Sequence, residues 1–127
     1  MVHFQSQTGS QGQLLDSISY ATLLLGVMHA GYVVFPISTR NNAAAVAHLL
    51  AQTRAQHIYI SSDPAMQALA HEAAVLLEAE RGVLVHPLSM PSFEDLYTPF
   101  DSSFEPVQLP KTYDRDAPAL IFHSSGV

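Results

Sequence analysis

The sequence predicts an α/β fold: a parallel sheet with flanking helices, built from βαβ units. Three observations carry this. Helix and strand signals alternate from residue 14 to residue 86 with short connections. The first strand signal after a helix, Tyr32 to Ile37, is a continuous apolar run, the pattern of a strand covered on both faces. The helix ends carry Gly or a capping residue where a helix should start or stop. Units of this kind wind right-handed around a parallel sheet.

Residues 1–13 are rich in Gln, Ser and Gly, with one apolar patch at Val2 and Phe4. They read as a poorly ordered N-terminal segment, a frayed end or a degenerate strand. Leu14 to Ala30 reads as a helix, with Gly31 at its stop. YVVFPI (32–37) is the first strand, and Pro36 marks an edge or a strand end. Asn41 or Asn42 caps a second helix, AAAVAHLLAQT, with Val46, Leu49, Leu50 and Thr53 on its apolar face. HIYIS (57–61) is the next strand. Asp63-Pro64 pairs a capping carboxylate with Pro at the first helical position. Met66, Leu69, Ala70, Ala73, Leu76 and Leu77 then recur at helical spacing, and Gly82 ends the helix. VLVH (83–86) is a third strand. From Pro87 to Pro118 the texture becomes prolines and acids, six of the eleven acidic residues, with Phe93, Tyr97, Phe100 and Phe104 as aromatic anchors. One helical turn is expected around Ser92 to Tyr97. ALIFH (119–123) is a fourth strand and runs straight into Ser124-Ser125-Gly126.

Composition bounds the function. The 127 residues are long enough to bury a real core. The apolar share of 48% is ordinary, but the 13% charged is about half the usual share. So few charges suggest large covered faces, supplied by a partner or by further parts of the same protein. A net charge of -6 with only five scattered basic residues argues against nucleic-acid binding. The absence of cysteine excludes a disulfide scaffold, cysteine-ligated zinc and thiol catalysis. It fits a reducing compartment, and a cytoplasmic location is expected. The N-terminus has no cationic stretch before an apolar run, so it does not read as a signal peptide. Ser17 to Thr39 holds no Asp, Glu, Lys or Arg, but Gly31 and Pro36 divide it into a helix and a strand rather than a membrane span.

An apolar strand that opens into Ser-Ser-Gly is how many phosphate-binding loops begin. Hydroxyls and backbone N–H groups beyond a strand end can cradle anionic oxygens. Two segments together, LLLGVMHAGYVVFPIS (23–38) and DAPALIFHSSG (116–126), resemble the adenylate-forming (AMP-binding) superfamily. That superfamily includes acyl-CoA synthetases, adenylation domains of nonribosomal peptide synthetases and carboxylic acid reductases. Ala30-Gly31, the strand to Pro36 and the helix Val46 to Leu50 match the first family segment; Ala119 to His123 and Ser124-Ser125-Gly126 match the second. "AGYVVFPIS" and "LIFHSSG" look closest to the fungal peptide-synthetase-like and aminoadipate-reductase-like branch.

The resemblance implies the partial N-terminal subdomain of an adenylation domain over residues 14–127, cut at the start of the phosphate loop. It implies a parent enzyme that uses ATP and Mg2+ to turn a carboxylic acid into an acyl-adenylate. The acyl group then passes to a thiol, CoA or a phosphopantetheine carrier. Ser124, Ser125 and Gly126 would contact the β- and γ-phosphates, and His123 would border the cavity. The family's continuation of the loop, its adenine and acyl pockets, its ribose-binding Asp and its lid Lys have no counterpart among these residues. The chain alone is therefore expected to be catalytically incompetent and to bind no cofactor tightly.

Gly31 and Pro36 read as structural positions. The seven histidines show no HxH, HxxxH or HExxH spacing, so a metal site has little support. No GxSxG occurs, which removes a hydrolase elbow. Glu94-Asp95 reads as a solvated turn. Two rival readings stand beside the resemblance: a non-catalytic α/β module that docks to a partner, and a flavodoxin-like nucleotide binder with its site at the strand C-termini.

Overall fold

The computed structural model describes residues 2–4, 10–97, 108 and 114–123, and for 2–4 and 10–16 the backbone alone. The chain divides into two compact units. One comprises Met1–Gln7, Phe35–Met90 and Phe122–Val127; the other comprises Thr8–Val34 and Pro91–Ile121.

The first unit holds a four-stranded sheet and two helices. Its strands are β1 (Val2–Phe4), β2 (Phe35–Pro36), β3 (His57–Ile60) and β4 (His86–Ser89), in the order β2-β1-β3-β4. Every described pair is parallel. The expected α/β class with a parallel sheet is therefore what the chain adopts. The helices are α2 (Ala43–Thr53) and α3 (Pro64–Arg81), which pack on each other.

Both helices start as the sequence predicts. The Asn42 side chain accepts from the Ala45 N–H at 2.9 Å. Asp63 accepts from the Ala65 N–H at 2.7 Å, with Pro64 at the first turn. These bonds satisfy donors that a helix start leaves without partners. The core follows from the apolar faces. Val46 and Leu50 of α2, Ile58 of β3 and Leu77 of α3 are the largest fully buried side chains. Ala70 and Ala73 let α3 approach closely, and both are buried.

The second unit holds α1 (Ser10–His29) and the short α4 (Phe93–Leu96). Helix α1 starts four residues before the expected Leu14. It ends at a Schellman motif: the Gly31 N–H donates to Met28 O at 3.0 Å and the Tyr32 N–H to Val27 O at 3.1 Å. Gly31 holds φ +84°, the left-handed conformation that its position predicts. Helix α4 is the expected turn. The Ser92 hydroxyl accepts from the Asp95 N–H at 3.1 Å, and the Asp95 carboxylate accepts from the Ser92 N–H at 2.8 Å, a reciprocal capping box. Phe93 and Tyr97 stack at 4.4 Å, and the Tyr97 and Thr22 hydroxyls share a hydrogen bond of 2.8 Å. Phe100 and Phe104 lie outside the described residues.

Three details differ from expectation. Val2–Phe4 is a strand between β2 and β3, so the runs at 32–37 and 57–61 are not neighbours. The third predicted strand shifts from 83–86 to His86–Ser89. The ladder bonds include the His86 N–H to Gln56 O at one end and the Met90 N–H to Ile60 O at the other. Donors therefore fall on 86, 88 and 90, and Pro87 lies on the alternate positions, where its missing N–H costs no ladder bond. Of the residues ahead of the strand, only Val85 is buried; Leu84 is 65% exposed. The predicted strand at 119–123 reduces to a single parallel bridge, Val34 to Leu120. The Val34 N–H donates to Ala119 O and the Ile121 N–H to Val34 O, which uses both backbone groups of the one residue available there.

Candidate functional site

Of the four residues that the sequence assigns to a site, Ser124, Ser125 and Gly126 lie outside the described residues, and His123 is the last residue within them. The His123 ring is half-buried and stands edge-on to Phe35, with centroids 5.5 Å apart and planes at 72°. Phe35 itself is buried in the core, so this contact fixes one side of the imidazole against apolar surface. Its neighbour Phe122 is 75% exposed.

The other residues singled out from the sequence take structural roles. Gly31 forms the helix stop and Pro36 sits in the edge strand β2. Glu94 and Asp95 are exposed, and the Asp95 carboxylate is committed to Ser92. The backbone and hydroxyl bonds from Ser92 hold the Asp95 carboxyl below its ordinary value. Burial pushes the Tyr20 phenol on α1 above its ordinary value. Among the described residues no group of three or more metal-ligating side chains forms, and no helix is long and apolar enough to cross a membrane.

Three features appear only in three dimensions. An open groove of about 330 Å³ runs between α3 and strands β3 and β4, with Ile58, Ile60, Ala70 and Pro87 as apolar lining and Gln67 and His71 as polar groups. At the C-terminal side of the sheet, Ser61 Oγ follows β3 and Asn41 Nδ2 stands in the connection from β2 to α2. Both atoms are buried without a hydrogen-bond partner among the described residues. At the opposite end of β3, His57 and His86 are register partners, and their rings stand 5.7 Å apart. Spacing in sequence gives no hint of that pair, because strand register alone brings the two residues together.

A parallel sheet with flanking helices is an architecture that many nucleotide-using enzymes share. Comparison with known proteins makes the class specific. The family model described as AMP-binding enzyme matches residues 13–127. The adenylate-forming reductase Nps10 of Heterobasidion annosum is 38% identical over 116 residues, covering 89% of this chain and 10% of that protein. The adenylate-forming reductase Nps11 of Serpula lacrymans var. lacrymans (strain S7.9) is 40% identical over 70 residues, covering 50% of this chain and 6% of that protein. No solved structure matches significantly. The chain belongs to the AMP-binding enzyme family, as its two motif segments imply, and its relatives are fungal adenylate-forming reductases. It spans a tenth or less of the length of the curated relatives it matches.

Proposed function

We propose that residues 14–127 are the N-terminal part of an adenylation domain, to whose sheet Val2–Phe4 adds a strand. In the whole protein, ATP and Mg2+ would serve to activate a carboxylic acid. A carboxylate oxygen bonds the α-phosphorus of ATP as the bond to pyrophosphate breaks. The sulfur of CoA or of a phosphopantetheine carrier then bonds the acyl carbon as AMP leaves. The observation that carries this reading is the 38% identity to an adenylate-forming reductase along 89% of the chain. Within it, Ser124, Ser125 and Gly126 open the loop that holds the β- and γ-phosphates, and His123 borders the cavity. We take the cytoplasm as the compartment, because ATP and the thiol acceptor are there.

The 127 residues alone do not catalyse the reaction on this reading, because an incomplete loop cannot preorganise the donors that phosphate stabilisation needs. The exposed apolar residues agree with a chain that more protein covers: Val75 and Leu84 lie open in one unit and Leu25 in the other. The test is ATP–pyrophosphate exchange over a panel of carboxylic acids. The 127-residue chain should show none. A polypeptide translated from a transcript that continues in frame past Val127 should show exchange, and Ser124→Ala or Ser125→Ala in it should raise the KM for ATP. Exchange by the short chain would overturn its incompetence. No exchange by the longer polypeptide with any acid would overturn the function.

The strand order favours a second reading. β2-β1-β3-β4 is the order that opens flavodoxin-like sheets, in which ligands sit beyond the C-terminal ends of the strands at the switch between β1 and β3. The unpartnered Ser61 Oγ and Asn41 Nδ2 lie at that end of the sheet. An adenine nucleotide bound there would raise the melting temperature of the 127-residue chain saturably, and Ser61→Ala would abolish the rise. A melting temperature that no nucleotide moves would remove this reading.

A further inference from the structure

We propose that His57 and His86 form a two-histidine site for a divalent transition-metal ion of the zinc, copper and nickel kind. The two residues open neighbouring strands and are direct partners in the parallel register of β3 and β4. Register partners of a parallel pair project to the same face, so the backbone aligns both imidazoles without help from any loop. The ladder bond from the His86 N–H to Gln56 O, 2.9 Å long, pins the register at this point.

The ring geometry suits a shared ion. Zinc holds an imidazole nitrogen at about 2.0–2.1 Å, which puts each ring centroid about 3.2 Å from the metal; two rings on one ion are then about 5.2 Å apart at a tetrahedral angle and at most about 6.4 Å apart when opposed. The centroids here are 5.7 Å apart, inside that window, with planes tilted by 36°. Both residues are exposed, so rotation about χ2 can aim one nitrogen of each ring at the ion, and water can fill its remaining positions. Imidazole is the ligand that zinc, copper and nickel favour among the side chains available to a chain without cysteine. The next partners on that face, Tyr59 and Leu88, supply no competing charge. His48 on α2 and His71 on α3 are exposed too, and they serve as internal controls.

The test is a titration of the full 127-residue chain, labelled with 15N at histidine, with zinc chloride. The ring nitrogens of His57 and His86 should shift together and saturate at one equivalent, with those of His48 and His71 unchanged. His57→Gln and His86→Gln should each weaken zinc binding by roughly tenfold or more, because the second ligand binds its ion at high effective concentration only while the first is present. Without zinc, both variants should melt with the parent, since both sites are exposed. His48→Gln should leave the affinity unchanged. Shifts at only one of the two rings would overturn the site. So would an affinity untouched by the His57 and His86 variants, or one equally reduced by His48→Gln.

Discussion

Replacing glycine by alanine at two positions five residues apart should move stability in opposite directions. Gly26 lies inside α1 and Gly31 stops it. An added Cβ meets nothing within 4 Å at either position, so packing does not distinguish them. Backbone conformation does. At Gly26 the chain is helical, and alanine should stabilise by about 0.5–1 kcal/mol, because glycine loses more backbone freedom on folding. At Gly31 φ is +84°, where a Cβ costs about 1–2 kcal/mol. The unfolded chain gives back about 0.4–1 kcal/mol, so Gly31→Ala should destabilise by about 1 kcal/mol net. For a chain of this size each kcal/mol moves the melting temperature by about 3–5 °C. The assay is thermal unfolding of the 127-residue chain and the two variants, followed by circular dichroism. A Gly31→Ala variant as stable as Gly26→Ala would refute the reasoning, and with it the structural role assigned to the Ala-Gly pair. A Gly31→Asn variant should recover part of the loss, because asparagine tolerates the left-handed region better than alanine.

Three further outcomes follow from the same structure. Helix α2 stops like α1, with the Ala55 N–H donating to Leu50 O, but Arg54 holds the left-handed position at φ 53°; Arg54→Gly should raise stability by about 1 kcal/mol, read as a rise in melting temperature. Leu50→Ala removes a fully buried side chain and should cost about 2–5 kcal/mol, whereas Leu84→Ala, at a 65% exposed position, should stay within about 0.5 kcal/mol; urea midpoints at constant slope compare the two. The Asp95 carboxyl is held below its ordinary value of 3.8, so its contribution to the α4 cap is fully present above that pH and disappears as pH falls through the lowered value; an NMR titration in which Asp95 protonates at or above 3.8 would contradict the capping box.

What could be read from the sequence was local. Asn42, Asp63-Pro64, Gly31 and Gly82 announce helix ends because a cap is a contact between residues two to five apart, and all four act as the pattern predicts. The core was legible for the same reason: the helical spacing of Val46 with Leu50, and of Ala70, Ala73 and Leu77, is a property of one helix. Partnership between strands is not local. The apolar patch at Val2 and Phe4 admits a degenerate strand or a frayed end, but three residues beside Gln, Ser and Gly do not say that the strand is central. The VLVH run reads as a strand on hydrophobicity alone, yet the ladder begins at its last residue because hydrogen bonding to Gln56 sets the register. Pro87, which as a sequence signal ends a strand, is accommodated inside one, because β4 is an edge and its alternate N–H positions face away from β3.

The same division separates two kinds of site. Ser124-Ser125-Gly126, proposed above to open a phosphate loop, stands out because such a loop is one continuous stretch, legible in a single line of sequence together with the Ala-Gly segment upstream. The His57–His86 pair is invisible to any spacing rule: its two members lie on strands joined through the whole of α3, and they meet only once β3 and β4 pair in register. Its rigidity comes from the ladder rather than from a loop, so a substitution that weakens strand pairing should weaken zinc binding even where no imidazole is touched. Ser89→Pro tests this, because Ser89 shares the outward-facing register of Pro87 and a proline there removes no bond to β3, whereas Leu88→Pro removes an inward one. Zinc affinity should persist in the first variant and fall in the second. Equal affinities would mean that the ladder does not organise the two rings.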